Sequence, residues 1–141
     1  FLFNIETKMS DKPGESPEPE EFARLVLDIV RKHKLENRVI LQSFDFRTLK
    51  AMRKLAPEIK RAALYAGMPK DFVSLTREAE ADMVSPVWQL VNKGRVEKAH
   101  AAGIPVVPWT ANKPEQWDKL IAAGVDAIIT DDPAGLIAHL K

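Results

Sequence analysis

The sequence predicts an α/β fold in which parallel strands are wrapped in helices, an incomplete (β/α)8 barrel of TIM-barrel type with about six strand–helix units. Three observations predict it. Short apolar runs alternate with stretches of helical periodicity and are joined by short links, the order expected of a parallel sheet covered by helices. Polar residues gather where the apolar runs end: Glu6 and Lys8, Gln42 and Ser43, Trp109 to Asn112, Thr130 and Asp131. Barrels and doubly wound sheets both bind ligands at that edge, but a doubly wound fold more often carries a glycine-rich phosphate loop after its first strand. Here Glu6-Thr7-Lys8 stands in that place, which favours the barrel.

A complete barrel takes about 250 residues, and this chain has 141. Residues 1–141 are therefore expected to form the C-terminal portion of a single barrel domain. The start at Phe1, inside a strand pattern and without an initiator Met, carries the same expectation that further strands precede it.

The first strand runs through Phe1-Leu2-Phe3-Asn4-Ile5-Glu6-Thr7-Lys8. Alternation puts Leu2, Asn4, Glu6 and Lys8 on one face, so a carboxylate and an ammonium project together from an apolar segment. A buried charge needs a partner or a metal. Two readings follow: an ion pair at a strand end, or a metal-ligating Glu6. Met9 to Pro19, rich in proline, is a loop placed where a lid would sit, or a tolerated surface insertion.

Glu20 to Lys34 reads as a helix with Phe22, Leu25, Val26, Ile29 and Val30 as its apolar stripe; His33 belongs to its basic end. Arg38 to Phe44 is the second strand, and Asp45 caps a helix that Pro57 stops. Lys60 to Ala66 is a strand, Phe72 to Ala81 a helix, Ala81 to Pro86 a brief strand and Trp88 to Ala102 a helix with Trp88, Val91 and Val96 in the core. Two Ala-Ala-Gly sequences, ending at Gly103 and Gly124, each close a helix at a glycine and lead into a buried strand. Between them Asn112 and Glu115 have the spacing of a capping box, with Trp117, Leu120 and Ile121 buried. Asp132-Pro133 opens the last helix.

Composition removes several function classes. With 21 basic and 20 acidic residues, the chain shows no basic run interleaved with aromatics, which argues against nucleic acid as a partner. Cysteine is absent, excluding disulfides and thiolate metal sites. No apolar run approaches the roughly 20 residues of a membrane helix.

Asn4-Ile5-Glu6-Thr7-Lys8, Gln42-Ser43-Phe44-Asp45, Trp109-Thr110-Ala111-Asn112 and Gly124-Val125-Asp126-Ala127-Ile128-Ile129-Thr130-Asp131 occur in this order. Together they resemble the glycerophosphodiester phosphodiesterase family, along essentially the whole chain but only the later half of that family's barrel. The resemblance implies a hydrolase that uses one divalent cation, Mg²⁺ or Ca²⁺, to split glycerophosphodiesters into glycerol 3-phosphate and an alcohol. It implies Glu6 as a metal ligand and Lys8 facing the phosphate. Gln42, Ser43 and Phe44 would border the substrate and Trp109 would wall its pocket, while Asn112 would cap a helix. The family's two catalytic histidines and its Glu-x-Asp metal pair have no counterpart here, since His33, His100 and His139 fall in helices. The chain alone is therefore expected to be inactive and to need, as partner, the preceding segment of the same barrel or a self-pairing copy. The alternative is a non-catalytic partial barrel that serves as a folding or assembly unit.

Overall fold

The computed structural model describes residues 1–141. Four parallel strands, β1 (Phe3–Glu6), β2 (Val39–Ser43), β3 (Lys60–Tyr65) and β4 (Met83–Pro86), lie in sequential order. Register pairs Glu6 with Gln42, Gln42 with Ala62, and Tyr65 with Pro86. Because all strands run the same way, their C-terminal ends share one edge.

Two further extended segments continue the ladder. Val107 N–H donates to Val84 O (2.9 Å) and Trp109 N–H to Pro86 O (3.0 Å); beyond them Ile129 N–H donates to Pro108 O (2.9 Å). Both segments were expected as regular strands, but the first registers only as isolated bridges, Val84 with Val106 and Val87 with Trp109, and the second only through single hydrogen bonds such as Ala111 N–H to Ile129 O (3.0 Å). Pro105 and Pro108 are the reason, since neither offers an N–H to the ladder. The result is a curved parallel sheet of the partial-barrel kind, with helices on its outer face.

Those helices are α1 (Pro19–Lys32), α2 (Phe46–Leu55), α3 (Phe72–Glu78), α4 (Lys93–Ala101), α5 (Pro114–Ala123) and α6 (Pro133–His139). One core lies under α1 and α2, with Leu27 and Val30 against Val39, Leu41, Leu49 and Met52; a second lies under α3 to α6 around Val84, Val96, Val106, Trp117 and Leu120. No helix is long and apolar enough to cross a membrane.

Three local expectations are corrected. The face of α1 that α2 and β2 cover is Ala23, Val26, Leu27 and Val30, whereas Leu25 and Ile29, expected in the stripe, lie outside that contact and are 47% and 62% exposed. Trp88–Ala102 is not one helix. A 3-10 turn spans Trp88–Leu90, and α4 starts afresh because the Asn92 side chain accepts from Arg95 N–H at 3.0 Å and makes its own cap. Finally, Asn112 and Glu115 do not form the capping box. Gln116 Oε1 takes that part, accepting from the N–H groups of Asn112 (2.7 Å) and Lys113 (3.2 Å). Other local expectations hold: Asp45 and Asp132 cap α2 and α6, and Gly103 and Gly124 take the left-handed conformation after their helices.

Asp71, the cap of α3, also holds α4 through Lys98. The Lys98 ammonium and the Ser74 N–H lower its pKa from 3.8 to about 2. The folded value lies below the unfolded one, so this carboxylate stabilises the fold above about pH 4 and the contribution is lost as pH falls toward 2. Asp71→Asn keeps a capping side chain but not the charge. Urea midpoints of wild type and variant are expected to differ at pH 6 and to converge as the acid is titrated; a gap independent of pH would contradict the pairing.

Candidate active site

The period of two decides which side chains face the concave side of the sheet. On β2, Val39, Leu41 and Ser43 are fully buried toward the helices, while Ile40 and Gln42 turn the other way. On β1, Asn4 and Glu6 share that concave side, with Lys8 just beyond the strand. Glu6, Lys8, Gln42, Phe44, Leu64, Trp109, Thr110 and Ile129 line one cleft of about 270 Å³ at the C-terminal edge. Five of the six residues expected at the site, drawn from positions more than 100 apart in sequence, are thereby brought together.

The sixth is Ser43, and the expectation that it borders the substrate is corrected. It is fully buried on the helix side, where its hydroxyl donates to Thr7 O at 2.7 Å. A residue directly after Gln42 in a strand must point the opposite way. Phe44 escapes this constraint because the strand has ended.

Glu6 and Lys8 meet only loosely. Lys8 Nζ lies 3.9 Å from Glu6 Oε1, and the Lys8 side chain is 81% exposed. Glu6 Oε1 is itself buried and has no hydrogen-bond partner. A buried carboxylate oxygen without a hydrogen bond costs free energy, about 1–3 kcal/mol or more, which a contact as loose as that with the Lys8 ammonium offsets only in part. A hard cation prefers such an oxygen, and Glu6 therefore fits as one ligand of a divalent ion. The chain holds no group of three or more His, Cys, Asp or Glu side chains able to complete such a site.

Around Glu6 the cleft is ordered. Asn4 Nδ2 donates to Gln42 Oε1 at 2.8 Å, which turns the Gln42 amide N–H groups away from Asn4 and leaves them as donors. Trp109 is pinned by its indole N–H, which donates to Ser85 O at 2.8 Å, and its ring meets Phe44 edge-on with centroids 5.4 Å apart. Asn112 is a loop clamp instead of a cap: it donates to Asp131 Oδ2 (2.7 Å) and accepts from Asp131 N–H (2.8 Å), tying together the chain after the last two extended segments. Beside the cleft lies a larger hollow of about 580 Å³ that shares Phe44 and Leu64 with it and is bordered by Met9 and Asp11 of the loop after β1. Asp45 also faces that hollow; the Arg47 guanidinium holds its carboxyl below the usual range against the opposing effect of burial.

The three histidines stand apart from the cleft. His33 ends α1, His100 pairs with Asp126 at 2.8 Å, and His139 pairs with Asp118 at 2.7 Å. Sequence reasoning missed Asn4 as the orienter of Gln42, although the same alternation that selected Glu6 includes it. Leu64, Thr110 and Ile129 as cleft walls carried no signal beyond their place at strand ends.

Comparison with known proteins places the chain in a family. The sequence pattern of the glycerophosphoryl diester phosphodiesterase family matches residues 1–135. A glycerophosphodiester phosphodiesterase of Caldanaerobacter subterraneus subsp. tengcongensis is 33% identical over 140 residues, covering 97% of this chain and 54% of that protein. The chain thus spans about half the length of the curated relatives it matches. Among solved structures, a glycerophosphodiester phosphodiesterase from Parabacteroides distasonis superposes with a TM-score of 0.80 at 22% identity, over 99% of this chain and 56% of that one. An Oleispira antarctica phosphodiesterase, in complex with the product sn-glycerol-3-phosphate, does so with a TM-score of 0.78 at 21% identity, over 86% and 50%. At those identities the two structures speak for the fold. The match to the family pattern covers nearly all of the sequence, and this chain belongs to the glycerophosphoryl diester phosphodiesterase family.

Proposed function

We propose that this chain forms the later part of a (β/α)8 phosphodiesterase that hydrolyses glycerophosphodiesters to glycerol 3-phosphate and an alcohol, using one divalent cation, Mg²⁺ or Ca²⁺. The observation that carries the reading is the Glu6 carboxylate, buried and unpartnered at Oε1, beside Lys8 in a cleft at the C-terminal edge of a parallel sheet. Family membership and the product bound to the Oleispira relative support it.

Each residue has a part in this proposal. Glu6 gives a carboxylate oxygen to the cation, which when bound offsets negative charge on the phosphoryl group. Lys8, on a solvated flexible stem, reaches the phosphoryl oxygens and stabilises charge that grows there. Gln42 presents its amide donors to the same anion, and Phe44 and Trp109 wall the glycerol or leaving alcohol. The remaining carboxylates and the general acid and base come, in this reading, from sequence outside residues 1–141. The purified chain is accordingly expected to release no glycerol 3-phosphate from glycerophosphocholine. A protein carrying the complete barrel should release it, in a reaction that EDTA stops. A complete barrel that leaves this diester intact while cleaving cyclic nucleotides or sugar phosphates would overturn the substrate assignment.

The second reading is an assembly unit: a partial barrel acting alone would present a parallel strand edge, and such an edge invites pairing with a second copy. Light scattering decides it, because a monodisperse monomer excludes self-pairing.

A further inference from the structure

Behind the cleft, on the opposite face of the sheet, lie three buried hydroxyls that the proposed chemistry does not use. Thr7, Ser43 and Thr48 are 1%, 0% and 0% exposed. The Thr7 and Thr48 hydroxyls are 2.8 Å apart. Thr48 Oγ1 donates to Asp45 O at 3.0 Å, which leaves Thr7 as the donor to Thr48. Ser43 Oγ donates to Thr7 O at 2.7 Å and accepts from Asp45 N–H at 3.1 Å. With Thr7 N–H donating to Gln42 O at 3.0 Å, every polar atom of Thr7 is engaged.

Thr7 lies between Glu6 and Lys8. The β1–β2 ladder has its last paired position at Glu6 and Gln42, and the chain then leaves the strand for the loop that precedes α1, so residue 7 sits where a strand end ordinarily frays. Valine or alanine would fill these three positions without burying a hydroxyl, an arrangement that costs free energy unless it is hydrogen-bonded. The hydroxyls stand where the backbone torsions of one residue set the relative direction of the cleft carboxylate and ammonium. Thr48, in the first turn of α2, fastens that residue to a helix.

We infer that the buried hydroxyls of Thr7, Thr48 and Ser43, which together hold the side chain and the carbonyl of residue 7, are a positioning device that holds Glu6 and Lys8 at the cleft, so that these three are positioning residues of the phosphodiesterase reaction. The inference rests on the function proposed above. Its test uses Thr7→Val in the full-length protein, which removes the hydroxyl at nearly constant volume, and Thr7→Ser, which keeps it. Thr7→Val is expected to lower kcat for glycerophosphocholine and to weaken Mn²⁺ binding, each roughly 10- to 100-fold, with KM little changed, and Thr7→Ser to restore both. Amide exchange at position 7, relative to its intrinsic rate, should accelerate in Thr7→Val. The control is Thr76→Val, which removes an equally buried hydroxyl that donates to Phe72 O at 2.8 Å in α3, away from the cleft. It should lower stability and leave kcat and exchange at Thr7 alone. If Thr7→Val fails to fold, Ser43→Ala carries the same expectations. A folded Thr7→Val with wild-type kcat, Mn²⁺ affinity and local exchange overturns the inference. If the wild type cleaves no diester, the proposed function fails on its own, and what is left to decide is whether these hydroxyls hold Glu6 and Lys8 at the cleft: unchanged Mn²⁺ affinity and unchanged protection at position 7 overturn that, and a loss of both that Thr7→Ser restores supports it.

Discussion

Glu6→Gln in the full-length protein is expected to reduce kcat/KM for glycerophosphocholine about a thousandfold, a loss of roughly 4 kcal/mol of transition-state stabilisation. The side chain keeps its shape and one oxygen, so the loss reflects the charge. Stability separates the two readings of this residue more sharply than activity does. If Glu6 Oε1 waits for a cation, then without one it is a buried acceptor with no partner, and neutralising it leaves stability in EDTA unchanged or raises it. With Ca²⁺ or Mg²⁺ at a hundred times the dissociation constant, wild type gains about 2.7 kcal/mol by linkage, and the variant should gain little of that. If Glu6 is merely the partner of Lys8, the variant loses at most about 1 kcal/mol whether or not a cation is present, and turnover is unaffected. Paired melting curves, with EDTA and with cation, for wild type and Glu6→Gln would therefore sink the metal assignment if both proteins gained equally from the ion.

The strands were legible to within a residue or two because a strand covered on its helix face reads as a short apolar run bounded by polar or turn residues. Val39–Ser43 and Lys60–Tyr65 fall inside the runs that predicted them. What failed was periodicity taken across a local competitor. Trp88 to Ala102 keeps helical spacing, yet Asn92 offers its own side chain to the backbone and restarts the helix there. In α1 the apolar side chains outnumber what one face can hold. Which of them is buried depends on the neighbours of the helix: Ala23, Leu27 and Val30 are the ones that α2 and β2 cover, and Leu25 and Ile29 lie outside that contact.

At the site, alternation along β1 and the parallel order were enough to bring Glu6, Lys8 and Gln42 together, since one register places Glu6 beside Gln42. Ser43 was misplaced by reading Gln42-Ser43-Phe44 as a block, where a period of two sends its middle member to the far side. Thr7 could have been sent to the helix side by the same rule. Its partner Thr48 could not, because that contact depends on how α2 settles against the sheet, 41 residues away in sequence.

At the opposite end of the sheet, Arg61→Ala is expected to cost about 3–5 kcal/mol of stability, lowering the urea midpoint by roughly 2 M for a slope near 2 kcal/mol/M. The Arg61 side chain is 5% exposed and lies 3.0 Å from Asp82 Oδ2. Its Nε donates to Glu80 O at 3.2 Å, and its Nη1 donates to Pro57 O at 3.2 Å and to Ile59 O. Burial pushes its pKa below the ordinary arginine value while Asp82 pulls the other way, so the ion pair offsets a real desolvation. One guanidinium thereby fastens the turn before β3 to the turn before β4, where Glu80 is held at φ 52, a left-handed conformation that non-glycine residues rarely adopt. Lysine cannot supply this planar fork, so Arg61→Lys should recover only part of the loss. The sharper comparison removes both charges. Arg61→Met with Asp82→Asn leaves no charge unpaired, keeps an acceptor for the residue-61 N–H that Asp82 Oδ2 holds at 2.9 Å, and is expected to be distinctly more stable than Arg61→Ala. Because the N-terminal edge of such a sheet carries stability and the opposite edge carries chemistry, folded Arg61→Lys should keep the cation affinity of the wild type even as its midpoint falls. An Arg61→Ala protein that unfolds at the wild-type midpoint would show that the guanidinium contributes nothing net.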